Sequence, residues 1–506
     1  MITPSPSIDP MFAPVLEARS AGPWQARNLI GGRWRASTQT FSVRSPIDGE
    51  AWVDVPKATV SDVDAAIAAA HEAQSRIRDI PAVERIALFE RAAALLERHQ
   101  EFFRELLLVE AGKPRGEAHG EVAATIERLR MTMQEVKKIT GEYIPGDWAA
   151  DTMGKVALVI HEPLGTVGAI TSFNYPLYIP AAKLIPALLA GNSVVVKPAS
   201  AVPVTLLCFV RLLEEAGFPP SVVNAITGSG DVGDRLVGDS RIDVISFTGS
   251  TPVGKHIATT AGLKRLHLEL GGKGAAIVLE DADLDLAARK CVEGSLKNAG
   301  QRCDAVSAVL VVERVADLLV ERMRRLIEHW PAGDPRQPDT KVGPVINREA
   351  AIRIQSLIDD AQAKGARVLA GGTSRECYVQ PTLLDRVPLS ARIASEETFG
   401  PVVTVIRMND EAEALEAGQR SGLDASVFTH DFYRMWKIAK RLNVGSITIN
   451  DFPRHGTGYF PFGGVGESGM GQEGIGYSIE AMTRRKTVVF NLEPGGLGKT
   501  HRIERM

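Results

Sequence analysis

The chain has 506 residues, enough for two to four domains of about 150 residues each, and its size excludes a peptide hormone or a mini-scaffold. Hydrophobic residues make up 44% of it and charged residues 24%, as in an ordinary globular protein. Its 58 basic and 61 acidic residues nearly balance, so they give no electrostatic footprint for nucleic acid or for an anionic membrane. We therefore expect neither of those partners and favour a small molecule.

Cysteine usage and the chain ends indicate a cellular location. The cysteines are too few and too scattered for a disulfide framework; they are Cys208, Cys291, Cys303 and Cys377. This pattern favours a reducing, cytoplasmic compartment. Residues 1–25 are rich in proline and small residues and lack the basic and apolar segments of a signal peptide. We predict a flexible tail there and a second tail at 499–506.

Two further functional classes are disfavoured by pattern. The most apolar stretch, residues 167–196, is interrupted by Asn174 and Lys183 and by several prolines, so it cannot cross a bilayer as one helix. The ten histidines form no HExxH or similar cluster, so no metal is predicted.

The hydrophobic pattern predicts an α/β protein. Between residues 60 and 130 apolar residues fall at helical spacing, which predicts a helical layer. From residue 162, β-branched runs such as SVVVKP and VISFTG alternate with helices, and a second such rhythm begins with GAAIVLE at 274–280. Continuous β-branched runs are typical of buried parallel strands, so we predict two open, doubly wound sheets with a nucleotide at the strand ends of the first.

The predicted units have the following bounds. Residues 26–142 and 162–273 form a dinucleotide-binding domain, and residues 274–480 form a second α/β domain. The strand-like segments within 143–161 and 481–498 lie outside both series of alternating strands and helices. They could pair with each other or with another subunit.

Two glycine-containing turns are candidates for binding a pyrophosphate. The only literal GxGxxG motif is formed by Gly228, Gly230 and Gly233, but the nearest acidic candidate, Asp243, precedes the next strand instead of lying on it. A tight strand-to-helix turn is therefore the favoured interpretation of these glycines. The segment SFTGSTPVGK is the better candidate, because Gly249 frees the backbone and Ser250 offers a hydroxyl where a helix begins.

Three short segments carry polar groups within apolar surroundings. SFNYP contains Asn174, HLELGGK contains Glu269, and NAGQRC ends in Cys303. A thiol nucleophile needs a base and donors for the charge that develops on the substrate oxygen, and these segments could supply them. Each residue also has an ordinary structural interpretation: an inert cysteine, a paired glutamate and an asparagine in a turn.

Seven ordered motifs resemble the aldehyde dehydrogenase superfamily over about residues 30–490. They are FNYP at 173, KPAS at 197, FTGSTPVG at 247, LELGGK at 268, GQRC at 300, EETFGPV at 396 and PFGG at 461. The resemblance implies an aldehyde dehydrogenase-like α/β fold, with 274–480 as the catalytic domain and 143–161 and 481–498 as the strands of a small oligomerisation element. It also implies a homo-oligomer, either a dimer or a tetramer.

The resemblance implies roles for the catalytic candidates. Cys303 would add to an aldehyde carbonyl, and the side-chain amide of Asn174 with the backbone N–H of Cys303 would form the oxyanion hole. Glu269 would activate the water that hydrolyses the resulting thioester, which argues against relatives that transfer the acyl group to coenzyme A. Lys183 matches a lysine near that glutamate.

The resemblance also identifies residues for a nicotinamide cofactor. Where NAD-preferring relatives generally carry a glutamate that grips the ribose, this chain has Ser200, which removes repulsion from a 2′-phosphate. We therefore predict NADP as cofactor, with NAD tolerated. The predicted cofactor-binding residues are Lys197, Ser200, Gly230, Thr248, Gly249, Ser250, Glu397 and Phe399.

Within the superfamily the chain most resembles the non-phosphorylating glyceraldehyde-3-phosphate dehydrogenases and their lactaldehyde-oxidising relatives. Arg302 offers a fork suited to an anionic substrate tail, although it could instead pair with Asp304. Two phosphate-binding arginines of bacterial members align with Ala124 and His455, which leaves Arg128 and Arg454 nearby. The predicted substrate-binding residues are Tyr175, Arg302, Arg128, Arg454 and His455.

The predicted reaction is oxidation of glyceraldehyde 3-phosphate to 3-phosphoglycerate. Lactaldehyde, succinate semialdehyde and sulfolactaldehyde are alternative substrates. A catalytically silent, nucleotide-binding structural homologue is an alternative from a different class, which selective alkylation of Cys303 would exclude.

Overall fold

The computed structural model describes residues 9–19, 22–456 and 458–492 of the chain. Its strands are β1 (Leu16–Glu17), β2 (Trp24–Ala26), β3 (Asn28–Ile30), β4 (Arg33–Arg35), β5 (Thr40–Arg44), β6 (Ala51–Pro56), β7 (Glu142–Pro145), β8 (Lys155–Pro163), β9 (Thr166–Ile170), β10 (Ser193–Lys197), β11 (Val223–Ala225), β12 (Val244–Thr248), β13 (Arg265–Glu269), β14 (Ala275–Val278), β15 (Ala308–Val312), β16 (Arg367–Ala370), β17 (Ser374–Arg375), β18 (Tyr378–Val379), β19 (Thr382–Asp385), β20 (Val402–Met408), β21 (Gly422–Phe428), β22 (Val444–Ile449), β23 (Gly469–Met470) and β24 (Thr483–Asn491).

Its α-helices are α1 (Val60–Arg78), α2 (Ala82–Arg98), α3 (Gln100–Ala111), α4 (Arg115–Arg130), α5 (Thr132–Val136), α6 (Tyr178–Leu189), α7 (Pro203–Glu215), α8 (Gly230–Gly238), α9 (Thr251–Thr260), α10 (Leu284–Leu296), α11 (Glu313–Ile327), α12 (Arg348–Ala363), α13 (Arg392–Ser395), α14 (Glu411–Gly418), α15 (Phe432–Arg441) and α16 (Ser478–Ala481). The helical spacing between residues 60 and 130 corresponds to α1 through α4.

The first α/β unit is built on an eight-stranded sheet with the order β23-β13-β12-β9-β10-β11-β3-β4. Its five central strands are parallel, and the outer strands join antiparallel. Val195 of β10 packs with α1, α8 and α9, whereas its neighbours Val194 and Val196 pack with α6 and α7 on the other face. Because alternate residues of a strand face opposite sides, this β-branched run is buried on both faces.

The second unit is a seven-stranded sheet with the order β16-β19-β20-β15-β14-β21-β22. Its strands are parallel except for β16, which pairs antiparallel with β19. A separate hydrophobic core surrounds it and includes residues of α10, α11 and α12. Two doubly wound α/β units are therefore present, as the two βα rhythms predicted.

The two strand-like segments that lie outside both series of alternating strands and helices pair with each other. β24 runs antiparallel to β8 along its whole length, from Lys155 opposite Asn491 to Pro163 opposite Thr483. β7 pairs along the other edge of β8 and completes a three-stranded sheet. This sheet corresponds to the small β element implied by the family resemblance.

The prediction of a flexible tail over residues 1–25 is wrong for the part that the structure describes, 9–19 and 22–25. The side chain of Phe12 is fully buried and stacks on Phe102 of α3, with ring centroids 4.2 Å apart. β1 pairs with β2, and Val15 and Leu16 are also buried. These three apolar side chains anchor the segment. Three residues are too few to establish a hydrophobic period, so the sequence pattern did not indicate their burial. Residues 1–8 and the predicted tail at 499–506 lie outside the described residues.

None of the helices described is both long and apolar enough to span a membrane.

Candidate active site

Four predicted site residues lie where neighbouring parallel strands of the first sheet end. Lys197 ends β10, Thr248 ends β12, Glu269 ends β13, and Asn174 follows β9 by four residues. In the sheet these strands are adjacent, in the order β13-β12-β9-β10. Ligands of open α/β sheets bind outside the carboxyl ends of the strands, so the order of the strands gathers these side chains at one crevice.

Cys303, the predicted nucleophile, comes from the second unit, in the loop between α10 and β15. Three consecutive residues before it adopt left-handed backbone conformations: Asn298, Ala299 and Gly300 have φ of 53°, 53° and 69°. At Gly300 a side chain is also excluded by contact, since a Cβ would lie 2.0 Å from the carbonyl oxygen of Gly400. This run of left-handed residues turns the chain from α10 toward the crevice.

The surroundings of Cys303 keep its thiol protonated. Burial raises its pKa well above the usual range, and the charges of Asp304, Asp424 and Glu269 raise it further, with only Arg302 opposing them. The other three cysteines of the chain are buried. Cys303 is therefore the accessible thiol of the chain, and its sulfur needs a base before it can act as a nucleophile.

The loop that carries Asn174 is held against the loop that carries Cys303. The Asn298 side chain donates from Nδ2 to the backbone carbonyl of Asn174 at 3.2 Å. The hydroxyl of Ser172 donates to Oδ1 of Asn174 at 2.8 Å, which orients the amide. Among the described residues Nδ2 of Asn174 has no acceptor, so it remains available as a donor.

Glu269 is 5% exposed, and both of its carboxylate oxygens lack a hydrogen-bond partner among the described residues. Burial raises its pKa well above the usual range; the charges of Glu473 and Asp424 act in the same direction, and Lys183 acts against them. Lys183 bonds other groups instead. Its Nζ lies 3.0 Å from Oε1 of Glu473 and 3.3 Å from the hydroxyl of Ser246.

The predicted cofactor residues of the first unit line one side of the crevice. Burial lowers the pKa of Lys197 to about 8, and its Nζ donates only to the carbonyl of Pro198, at 3.3 Å, within the part of the chain described. Ser200 is exposed and donates to the carbonyl of Gly228 at 2.8 Å. Ser200 also lines a cavity of about 850 Å³ between the two units.

The two glycine-containing turns each lead into a helix. Gly230 is the first residue of α8, and an added Cβ there would meet nothing within 4 Å. Gly249 donates its N–H to the carbonyl of Glu269 at 3.0 Å, and Ser250 precedes α9 with a side chain that makes no capping hydrogen bond. The N-terminus of α9 thus offers an uncapped hydroxyl and free N–H groups beside Thr248.

Glu397 and Phe399 approach the crevice from the second unit. A Cβ on Gly271 would lie 2.6 Å from Oε2 of Glu397, so the carboxylate reaches back against the turn that follows Glu269. Burial raises the pKa of Glu397 to about 7. Phe399 has a left-handed φ of 48° and packs edge-to-face on Phe173, with ring centroids 5.6 Å apart.

The structure brings Tyr175, Arg302 and His455 together around Asp304. Arg302 is 6% exposed and donates from Nη2 to Asp304 at 2.7 Å. It therefore forms the ion pair with Asp304 that the sequence offered as the alternative to substrate binding. Its Nη1 is nevertheless buried without a partner among the described residues. His455 lies 3.3 Å from Asp424 and 4.0 Å from Asp304. Burial raises the pKa of Tyr175 well above its usual range, and the charge of Arg302 acts against this rise.

Two other predicted substrate residues are occupied elsewhere. Arg128 is buried in an ion pair with Glu135, with Nη2 and Oε1 2.5 Å apart, and its Nη1 lies against Gly458. Arg454 has a half-exposed side chain that lies 3.5 Å from both Glu293 and Asp451. Of the two, only Arg128 points into the interior.

Several buried charged residues escaped the sequence analysis. Lys113 pairs with Glu121 at 2.6 Å, and its Nζ lies 3.9 Å from the centre of the Tyr175 ring. Glu121 accepts the backbone N–H groups of Leu177 and Tyr178, where α6 begins. Their only sequence signal is a charge within an apolar helical pattern. In the described part of the chain no cluster of side chains could hold a metal ion.

Comparison with known proteins is consistent with this geometry. Residues 34–488 match the Aldehyde dehydrogenase family. The chain is 41% identical over 472 residues to the NADP-dependent glyceraldehyde-3-phosphate dehydrogenase of Streptococcus equinus, covering 92% of this chain and 99% of that protein. It is 34% identical over 466 residues to the 3-sulfolactaldehyde dehydrogenase of Priestia aryabhattai, covering 92% and 97%.

Among solved structures, the NADP-dependent glyceraldehyde-3-phosphate dehydrogenase of Bacillus halodurans C-125 complexed with NADP superposes with a TM-score of 0.91 at 41% identity, covering 93% of this chain and 100% of that one. The chain belongs to the aldehyde dehydrogenase family. The family resemblance and the α/β fold predicted from sequence are confirmed.

Proposed function

We propose that the protein oxidises glyceraldehyde 3-phosphate to 3-phosphoglycerate with NADP and without phosphorylation. The observation that carries this proposal is the convergence of Cys303, Asn174 and Glu269, from three separate segments, at the carboxyl edge of a dinucleotide-type sheet. The two relatives described above act on short anionic aldehydes by name.

Cys303 acts as the nucleophile. Its thiol loses a proton to solvent, and the thiolate fraction rises with pH because the pKa of the thiol is raised. The thiolate adds to the aldehyde carbon and forms a thiohemiacetal. Asn174 donates from its free Nδ2 to the developing oxyanion, and Ser172 keeps the amide in that orientation.

The residues of the crevice fit NADP. Lys197 has an Nζ with a single weak partner, Ser250 has an uncapped hydroxyl at a helix start, and Ser200 places no carboxylate near a 2′-phosphate. Lys197 and Ser200 would hold the adenosine ribose and its phosphate, Gly230, Thr248, Gly249 and Ser250 the pyrophosphate, and Glu397 with Phe399 the nicotinamide ribose. When bound, NADP supplies the acceptor for the hydride that leaves the thiohemiacetal, so that a thioester remains on Cys303.

Glu269 then serves as the general base for hydrolysis. Its two unpaired oxygens can accept the proton of a water molecule that attacks the thioester carbon, which releases the acid and regenerates the Cys303 thiol. Because the pKa of Glu269 is raised, the fraction of its carboxylate form increases as pH rises, and the rate of the hydrolytic step increases with that fraction.

Arg302 gives the site its preference for an anionic substrate. The buried Nη1 without a protein partner is a donor that a phosphate oxygen can occupy, while Nη2 remains on Asp304. Sulfolactaldehyde, with a sulfonate in place of the phosphate, is the second candidate substrate for the same reason. His455 lies 4.0 Å from Asp304, the ion-pair partner of Arg302, and Arg128 is paired with Glu135.

We also propose that the protein is a homo-oligomer. β24 and β22 are edge strands of their sheets, and every residue of β22 is half-exposed. Exposed edges of this kind pair with another strand unless something covers them. Two copies of the chain could join the sheets at these edges, and light scattering measures the mass that results.

The function is tested with the purified protein on glyceraldehyde 3-phosphate, sulfolactaldehyde, lactaldehyde and succinate semialdehyde, each with NADP and with NAD, by following absorbance of the reduced cofactor. We expect the highest kcat/KM for glyceraldehyde 3-phosphate with NADP, 3-phosphoglycerate as product, and no dependence on inorganic phosphate or coenzyme A. Cys303→Ala is the inactive control. A strict requirement for either co-substrate would contradict the proposal.

Glu269→Gln separates the two half-reactions. With this variant we expect one burst of reduced cofactor per active site and a steady-state rate lowered by about 10²–10⁴-fold, because only the hydrolytic base is lost. The Asn174→Ala variant should instead lose the burst rate itself, by about 10²–10³-fold.

A further inference from the structure

We propose that His267 is a positioning residue that connects Glu269 to Lys183 through a directional chain of hydrogen bonds; this inference rests on the function proposed above. His267 lies two residues before Glu269 on β13, so both side chains leave the same face of the strand. The ring is 2% exposed. Its Nε2 lies 3.7 Å from Oε1 of Glu269, and its Nδ1 lies 3.4 Å from the hydroxyl of Ser246.

Three polar atoms at this place lack partners. Nε2 of His267 and both carboxylate oxygens of Glu269 are buried, and none of them has a hydrogen-bond partner among the described residues. Buried polar atoms are nearly always paired in folded proteins, so three neighbouring exceptions call for an explanation. A movement of under about 1 Å would bring Nε2 and Oε1 to an ordinary hydrogen-bond distance.

One arrangement of the donors in this cluster places a proton on Nε2 of His267. Lys183 has only donors, and it reaches Ser246 at 3.3 Å. The Ser246 hydroxyl then has its own proton for Nδ1 of His267, which leaves the imidazole proton on Nε2, facing Glu269. Burial lowers the pKa of His267 to about 4 and Lys183 acts in the same direction, whereas the charge of Glu473 and a hydrogen bond with the backbone of Gln472 raise it. The ring is therefore neutral and carries a single N–H.

A hydrogen bond from Nε2 favours the charged form of Glu269. The other groups that face this carboxylate are Glu473 and Asp424, which disfavour its charge, and Lys183, which favours it from a distance. Glu473 lies 3.8 Å from Nδ1 of His267 and holds Lys183 at 3.0 Å. The imidazole is therefore the group placed to donate directly to Glu269 and to oppose the rise in its pKa.

Three variants test the chain. His267→Leu removes both ring nitrogens at similar volume, Ser246→Ala breaks the link to Lys183, and His267→Gln keeps an amide donor near the position of Nε2. The readouts are the pH profile of steady-state turnover and, separately, the pre-steady-state burst of reduced cofactor.

With His267→Leu and Ser246→Ala we expect the acid limb of turnover to move up by about half to one pH unit, which lowers turnover on that limb by about three- to tenfold, with burst amplitude and KM unchanged. His267→Gln should keep the limb near its original position. An unshifted limb in His267→Leu, together with a lower Tm, would mean that His267 only fills space and would overturn the inference. If His267→Leu does not fold, the comparison of Ser246→Ala with His267→Gln decides in the same way.

Glu269→Gln, measured in parallel, distinguishes this inference from the proposed function. If Glu269→Gln retains turnover, the glutamate is not the base, and the proposed function loses its hydrolytic step. If Glu269→Gln stops after the burst while the acid limb of His267→Leu stays in place, only the role of His267 is refuted.

Discussion

The side-chain amide of Asn298 donates to the backbone carbonyl of Asn174 across the boundary between the two α/β units, with 3.2 Å between Nδ2 and the carbonyl oxygen. The same Nδ2 donates to the carbonyl of Gln301, also at 3.2 Å. Asn298 thus fixes the distance between the loop of the proposed nucleophile and the loop of the proposed oxyanion donor.

Replacing Asn298 tests this link. We expect Asn298→Gly to slow the burst of reduced cofactor by about tenfold, because a buried amide that orders two reacting groups is lost while glycine keeps the left-handed φ of 53°. Asn298→Ala should show the same kinetic loss and also a lower Tm, because alanine strains that backbone. A burst at the parent rate in Asn298→Gly would show that the two loops hold their positions without the amide.

The raised pKa of Cys303 predicts how alkylation depends on pH. A pKa above the usual range leaves less thiolate at neutral pH, so iodoacetamide should label Cys303 more slowly than a free thiol at pH 7, and the rate should climb as pH rises. Mass spectrometry locates the adduct, with the buried Cys208 and Cys291 as internal controls. Labelling at pH 7 as fast as that of a low-pKa thiolate would contradict this environment.

Cofactor preference should depend on Ser200. A carboxylate about 4 Å from a 2′-phosphate costs roughly 4 kcal/mol per unit charge at an effective dielectric constant near 20, so Ser200→Glu should lower kcat/KM for NADP by at least about 10²-fold. NAD should be affected little, since it lacks the phosphate. Ser200→Gln is the matched neutral control. Equal losses with both cofactors would indicate a general disturbance of the site.

We expect Arg302 to distinguish substrates by their charge. Arg302→Lys keeps the charge but loses the fork, and we expect KM for glyceraldehyde 3-phosphate to rise by about 10–100-fold, the usual effect of losing a charge-assisted hydrogen bond. KM for glyceraldehyde, which lacks the phosphate, should change little. If both substrates are affected alike, Arg302 acts only through its ion pair with Asp304.

The buried pair of Lys113 and Glu121 should matter for stability. The two side chains are almost fully buried and 2.6 Å apart, so Glu121→Gln leaves an uncompensated charge and should lower the free energy of unfolding by about 3–5 kcal/mol. Denaturant titration measures this, and Glu127→Gln, an exposed change on the same helix, is the control. A loss below about 1 kcal/mol would mean that water reaches Lys113 once the carboxylate is gone.

Sequence reasoning located the strand ends because they follow from local patterns. The β-branched runs SVVVKP and VISFTG, which lead to Lys197 and Thr248, each predicted a buried strand. The parallel arrangement then placed Lys197, Thr248, Glu269 and Asn174 at one edge. The family resemblance supplied the roles. No local pattern could show that the loop of Cys303, from a different sheet, meets that edge.

The contacts between distant segments could not be predicted in the same way. Glu473 lies 290 residues after Lys183, and a lone glutamate in a glycine-rich run has no distinctive spacing. Phe12 and Leu16 were assigned to a flexible tail because a few apolar residues among prolines carry no period. Their burial is decided by the hydrophobic surface that α2, α3 and α7 present, and that surface exists only in the folded chain.

The sheet that carries the proposed catalytic groups is closed by β23, which pairs Gly469 with Glu269. Residues 469–470 must therefore be synthesised before this edge can form, and Glu473 follows in the same segment. A nascent chain still attached to the ribosome at residue 460 would display an open strand beside Glu269, the proposed general base. The proposed site is in this way incomplete until this segment has left the ribosome, whatever the order in which the earlier helices pack.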